Sequence, residues 1–165
     1  MPDADGLLEL LKESVQEVFT TMVFNFCEAA VRDSSDEGEL VVENGSGETE
    51  RVRVDTEAAV DFSGEINGAV VLRCTADGAM DIARGLLMMD AGDALEMEEV
   101  ADALGECANM MAGSLKTKGL DPHGDFHISV PRVSGPESER DGTQRGSLAY
   151  RLEQGLISVE IRMDD

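Results

Sequence analysis

The sequence predicts an α+β fold, a largely antiparallel sheet packed by long helices in two layers, and three observations carry that prediction. Stretches near the start and the middle of the chain repeat apolar residues at three- and four-residue steps, the mark of amphipathic helices. Short runs of β-forming residues come in pairs joined by short turns, which implies antiparallel pairing. The long helices stand between those groups of strands, which puts them in a layer of their own. At 165 residues and 42% hydrophobic, the chain suits one domain spanning residues 1–165.

The first helix is expected from Gly6 to about Arg32, on Leu7, Leu8, Leu11, Val15, Val18, Phe19, Met22 and Phe26, with the polar stretch Asp33 to Gly38 ending it. Glu39 to Glu43 and Arg51 to Asp55 flank Asn44-Gly45-Ser46-Gly47 as a hairpin. Two more strands, VDFSGEI and AVVLRCT, occupy Val60 to Thr75 with a turn at Asn67-Gly68. A helix over Asp77 to Met89 has Met80, Ile82, Ala83, Leu86 and Leu87 on its apolar side. A second long helix runs from Glu96 to about Thr117, opened by acids that suit the positive end of its dipole. Phe126 to Val130 is a strand stopped by Pro131, and Glu137 to Gly146 is a polar loop. Leu148 to Glu153 and Leu156 to Met163 close the chain as a hairpin about Gln154-Gly155. A long helix followed by hairpins occurs twice, which hints at an internal duplication.

Charge and composition exclude several functions. Against 35 acidic residues stand 13 Lys and Arg, a formal charge of −22. Nucleic-acid backbones are bound by basic stripes, and the longest basic clusters here are Arg51-Val52-Arg53 and Lys116-Thr117-Lys118. The same charge opposes anionic lipid. Solubility, or life at high internal salt, is the ordinary account of the acidity, with a functional acidic patch as the alternative. No run reaches the roughly 18 apolar residues of a membrane span. The opening MPDADGLLELLKE has acids where an export signal needs basic residues, so a cytoplasmic protein is expected. Cys27, Cys74 and Cys107, an odd number in hydrophobic segments, read as reduced thiols and lack the paired spacing of a zinc site.

The chemistry concentrates on the second long helix. At ~100° per residue, with Asp102 at zero, Glu106 falls near 40°, Asn109 near −20° and Gly113 near 20°. Val100, Leu104, Cys107, Met111 and Leu115 fall around the opposite side. Asp102, Glu106 and Asn109 therefore share a solvent-facing strip, with Gly105 beside it and Gly113 continuing it. The ordinary explanation is the wet face of an amphipathic helix. Propensity counts against it: Gly105 costs ~1 kcal/mol relative to Ala, Asn109 roughly half that, and Gly113 a similar penalty unless it lies at the end. Small residues around one carboxylate and one carboxamide would leave a shallow surface that another backbone can approach. The residues by themselves leave both explanations open.

Other constellations are weaker. Pro122 and Gly124 disfavour a helical metal pair of His123 and His127, which are expected in loop and strand. The Gly45/Gly47 loop lacks the Lys-Ser/Thr of a nucleotide-binding turn. Cys107 has Glu106 beside it and no basic neighbour, which disfavours a nucleophilic thiolate. Met88, Met89, Met110 and Met111 are expected in core or dimer packing.

The segment EEVADALGECANMMAGSLK resembles the signature helix of the CheC/CheX group of chemotaxis phosphatases, CheX more than CheC. That group's acid, Glu, Asn and Gly on one helix correspond here to Asp102, Glu106, Asn109 and Gly113. The flanks NGAVVLRCTADGAMDIARGLLMMD and HISVPRVSGP extend the resemblance over most of the chain. It implies a two-layer CheC-like fold and hydrolysis of the aspartyl phosphate of a CheY-like receiver domain. The receiver would bring the phosphorylated Asp, a divalent metal (Mg) and a Lys; this chain would hold no cofactor or metal of its own.

In that scheme Asn109 positions the attacking water, since a carboxamide oxygen accepts from water while its NH₂ faces a phosphoryl oxygen. Glu106 pairs with the receiver's Lys, and Asp102 supports or caps the contact. The first helix offers Glu17 followed by Thr20 where CheC-type members carry a Glu and an Asn, so one site per chain is expected. A homodimer joined through a sheet edge is also implied. The alternative is a non-catalytic adaptor that binds receiver domains through the same helix.

Overall fold

The computed structural model describes residues 3–21, 27–29, 31–33, 39–43, 46–90, 93–135 and 142–164. Helix α1 (Ala4–Thr21) comes first, followed by strands β1 (Cys27–Ala29), β2 (Val31–Asp33), β3 (Glu39–Glu43), β4 (Thr49–Arg53), β5 (Thr56–Ser63) and β6 (Gly68–Cys74). Helices α2 (Ala76–Leu86) and α3 (Met97–Leu115) follow, then β7 (His127–Ile128), β8 (Arg132–Ser134), β9 (Thr143–Arg151) and β10 (Leu156–Met163). Seven strands form one sheet in the order β1-β9-β10-β6-β5-β7, with β8 also pairing β5; β2, β3 and β4 form a second, smaller sheet. Every pairing is antiparallel, as the short turns require.

The expected α+β layering is present because each element hides one face. Period-two alternation sends Val60, Phe62, Val70, Leu72, Val159 and Ile161 to the side covered by the helices. Against them pack Leu7, Leu11, Val15 and Phe19 of α1 and Val100, Leu104, Cys107, Met111 and Leu115 of α3. Phe19 meets Tyr150 of β9 edge-on, ring centroids 5.6 Å apart, which seats α1 on the sheet. Leu40, Val42 and Val54 bury a second cluster with Ala149 and Leu156, so the small sheet adds a partial layer on the opposite face.

That opposite face carries an ion network which alternation alone does not reveal. Arg73 is fully buried in β6, with Nε 3.3 Å from Glu57 Oε1 and Nη1 3.7 Å from Glu160 Oε1. Arg162 reaches the other oxygen of Glu160 at 3.1 Å. Arg73 Nη2 donates to the Glu39 carbonyl of the small sheet at 3.3 Å.

Several boundaries differ from the sequence reading. The first helix is described as far as Thr21, and Cys27–Ala29, expected within a helix running to about Arg32, is a strand paired with β9. Thr20 and Thr21 turn their hydroxyls back onto the carbonyls of Gln16 and Glu17 at 2.8 and 2.9 Å, using local partners at the helix end. Met22 and Phe26 lie outside the described residues. Strand β5 begins at Thr56, four residues before Val60. Pro131 does not end the sheet, because β8 resumes pairing with β5 just beyond it. Met88, expected in core or dimer packing, lies outside this chain's core at the close of α2, 91% exposed with φ 57°. Among the described residues no helix is long and apolar enough to cross a membrane.

Candidate active site

Helix α3 begins where the Glu96 backbone N–H donates to the Glu99 carboxylate at 3.2 Å. Glu98 and Glu99 lie in the first turn, where negative charge suits the positive end of the helix dipole. Burying Val100, Ala103, Leu104, Cys107, Ala108, Met111, Ala112 and Leu115 then fixes which face remains outside. Asp102 and Glu106 are exposed and Asn109 is half-buried. Among the described residues none gives a hydrogen bond or ion pair to the side chain of Asp102, Glu106 or Asn109. A Cβ built on Gly113 would meet nothing within 4 Å, so the strip continues into open space.

Gly105 has a different role from the one expected of it. Instead of widening a partner-facing surface, it is buried under its own chain. A Cβ there would lie 3.3 Å from Pro131 Cγ and 3.5 Å from Val133 Cγ2. Pro131 belongs to the connector between β7 and β8, and that connector is pinned from the sheet side. Ser129 N donates to the Asp61 carbonyl at 2.9 Å, Asp61 N donates to Ser129 Oγ at 3.0 Å, and Arg132 bridges Asp61 at 2.8 Å. The connector forms a fixed arch, and the absence of a side chain at Gly105 lets it rest on α3. The cue in the sequence was the glycine itself, whose helix penalty buys nothing without a neighbour to admit.

Beyond Leu115 the helix widens into a π-helical turn, Lys116–Leu120, and a 3₁₀ turn, Asp121–His123. Lys116 Nζ bridges Asp121 at 3.0 Å, and Lys118 pairs with Glu17 of α1. The Glu17–Thr20 step of α1 is thus occupied locally: one side chain by Lys118, the other by the Gln16 carbonyl. His123 and His127 are exposed, in the 3₁₀ turn and in β7. Among the described residues no three His, Cys, Asp or Glu side chains converge as a metal site.

Cys107 lies directly behind Glu106 on the buried face. Burial first, and the Glu106 charge second, push its thiol up to about 12, far from a nucleophilic thiolate. Cys74 is likewise free and buried, its thiol raised chiefly by desolvation. Neither cysteine is prepared for covalent attack, and the polar side chains on the outer face of α3 are the exposed Asp102 and Glu106 carboxylates and the half-buried Asn109 amide.

The family model for chemotaxis phosphatase CheX matches residues 57–150, a span that takes in α2, α3 and the arch. Among solved structures, CheX from Vibrio vulnificus is 18% identical at a TM-score of 0.70, covering 99% of this chain and 100% of that one. CheX from Desulfovibrio desulfuricans is 18% identical at 0.69, covering 96% and 99%. The Borrelia burgdorferi CheX solved in complex with CheY, BeF₃ and Mg²⁺ is 16% identical at 0.64, covering 96% and 97%. A comparison with curated proteins finds no match. With a family model spanning more than half of the sequence, on a fold shared nearly end to end with solved relatives, this chain belongs to the CheX family of chemotaxis phosphatases.

Proposed function

We propose that this protein hydrolyses the aspartyl phosphate of a CheY-like receiver domain, with the exposed face of α3 entering the receiver's phosphorylation pocket. The observation that carries the reading is the pairing of an exposed Glu106 with an outward Asn109 three residues on, neither bound to a described residue. The Asn109 carboxamide accepts a hydrogen bond from water and holds it in line behind phosphorus. Water oxygen bonds to phosphorus, the bond from phosphorus to the Asp carboxylate oxygen breaks, and both water protons leave with inorganic phosphate. The receiver's carboxylate is regenerated with its electron pair.

Glu106 forms an ion pair with a Lys of the receiver beside its phosphorylated Asp, and this sets the register between the proteins. Asp102 extends the acidic contact one turn earlier. Divalent metal belongs to the receiver and supplies charge neutralisation at the phosphoryl oxygens there. The rate gain comes from orientation, with no covalent enzyme intermediate. The same reading makes the protein a cytoplasmic homodimer joined through a sheet edge, which sedimentation would check.

The test is single-turnover decay of a phosphorylated receiver from the same organism. Wild type accelerates loss of phosphate, and Asn109→Ala removes the acceleration while largely sparing binding. Should wild type bind the receiver and leave the decay rate unchanged, the protein is an adaptor instead.

A further inference from the structure

We propose that Val130 and Val133 form an apolar shoulder beside the Glu106/Asn109 strip that docks against an apolar patch bordering the receiver's phosphorylation pocket. This inference rests on the function proposed above and names the part of the surface that recognises the partner.

Three observations meet at the arch. On the helical wheel Gly105 falls near −60°, next to Asn109 near −20°, so whatever stands over Gly105 flanks the amide. Pro131 and Val133 stand there, within 3.3 and 3.5 Å of the Gly105 Cβ position. Among the described residues five large hydrophobic side chains are exposed, and two of them belong to this short segment: Val130 at 79% and Val133 at 36%. The arch is also held, by Ser129 and Arg132 on Asp61, so its valines are presented without an ordering cost on binding.

The occupant follows from the chemistry and from continuity with the strip. A chain of charge −22 gains little from further acidic contacts, and a valine tip gains only by leaving water against apolar surface. A partner seated with its pocket over Asn109 lies next to the arch, whose Pro131 and Val133 stand over Gly105 one turn earlier on α3. Closing that rim also excludes solvent from the Glu106 ion pair, the arrangement in which a central polar contact is most effective. Val130 and Val133 are positioning residues that set the docked geometry; the reacting atoms remain at Asn109.

The experiment measures binding to a receiver held in its active form by beryllofluoride, and turnover of the phosphorylated receiver, for wild type, Val130→Asp and Val130→Ile. Val130→Asp weakens binding and raises KM by about tenfold or more, with kcat held within about twofold, while Val130→Ile retains wild-type values. Its exposure makes folding of both variants expected, and circular dichroism confirms it. Unchanged KM and affinity in Val130→Asp, with wild type active, overturns the shoulder and leaves the proposed function standing. Weakened binding by Val130→Asp with no turnover by wild type supports the shoulder and removes the phosphatase reading. Wild type that fails to bind the receiver overturns both.

Discussion

Pro131 Cγ stands 3.3 Å from the point where a Cβ on Gly105 would lie, and this contact ties a connector of the sheet to the helix bearing Glu106 and Asn109. Gly105→Val therefore overpacks the joint. The expected loss is about 1–3 kcal/mol, read as a lower Tm in thermal unfolding. A Tm equal to or above wild type would mean that the arch yields freely.

Gly113 predicts the opposite sign. Nothing lies within 4 Å of its Cβ position, so Gly113→Ala gains helix propensity, about 0.5–1 kcal/mol, and raises Tm. The added methyl stands on the surface offered to the receiver, and KM rises. A stabilised variant with unchanged KM would remove Gly113 from the contact surface.

Asn109→Asp keeps the shape of the side chain and replaces the amide with a negative charge. The carboxylate repels the phosphoryl oxygens, and phosphate release slows by about 10²-fold or more. Urea midpoints stay close to wild type, because Asn109 has no partner among the described residues. Retained turnover would show that the amide NH₂ plays no part.

The buried Cys107 thiol predicts a loss of stability in alkali. Its ordinary value of 9.0 is pushed up to about 12 in the folded protein, so the native state keeps a proton that the unfolded chain gives up. The stability tied to that proton is complete below pH 9 and falls by about 1 kcal/mol per pH unit between 9 and 12. Urea midpoints measured from pH 8 to 11 should decline less steeply in Cys107→Ala. Parallel declines would exclude the thiol as a cause.

Arg73→Met leaves buried Glu57 and Glu160 without the guanidinium that both contact, Glu160 keeping Arg162. Breaking a buried pair from one side costs about 3–5 kcal/mol. Denaturant titration measures it, and a loss under about 1 kcal/mol would mean that water reaches the network.

The α3 strip was readable because Val100, Leu104, Cys107, Met111 and Leu115 all follow one period and leave Asp102, Glu106 and Asn109 opposite. The closing hairpin was readable for a similar reason, with Gln154-Gly155 between two alternating runs. The end of α1 was not, since Met22 and Phe26 continue the helical spacing past Thr21. Strand β8 was hidden because Pro131 looks like a terminator, whereas here it supplies the bend before pairing resumes. The role of Gly105 was inaccessible for the same reason: its neighbour is 26 positions away in sequence, and only the sheet brings Pro131 over it. Glu57, Arg73 and Glu160 look like solvent-facing members of alternating strands until the fold buries them as one ion network, with Arg73 bonded to the Glu39 carbonyl of the small sheet.

The hydrogen bond from Arg73 to the Glu39 carbonyl also governs how the molecule comes apart. Two separate apolar clusters would let β3 and β4 lift away while the rest held. Lifting them, however, uncovers a cation set among carboxylates and withdraws one of its acceptors. Loosening at the periphery thereby costs a contact at the buried centre of the larger sheet.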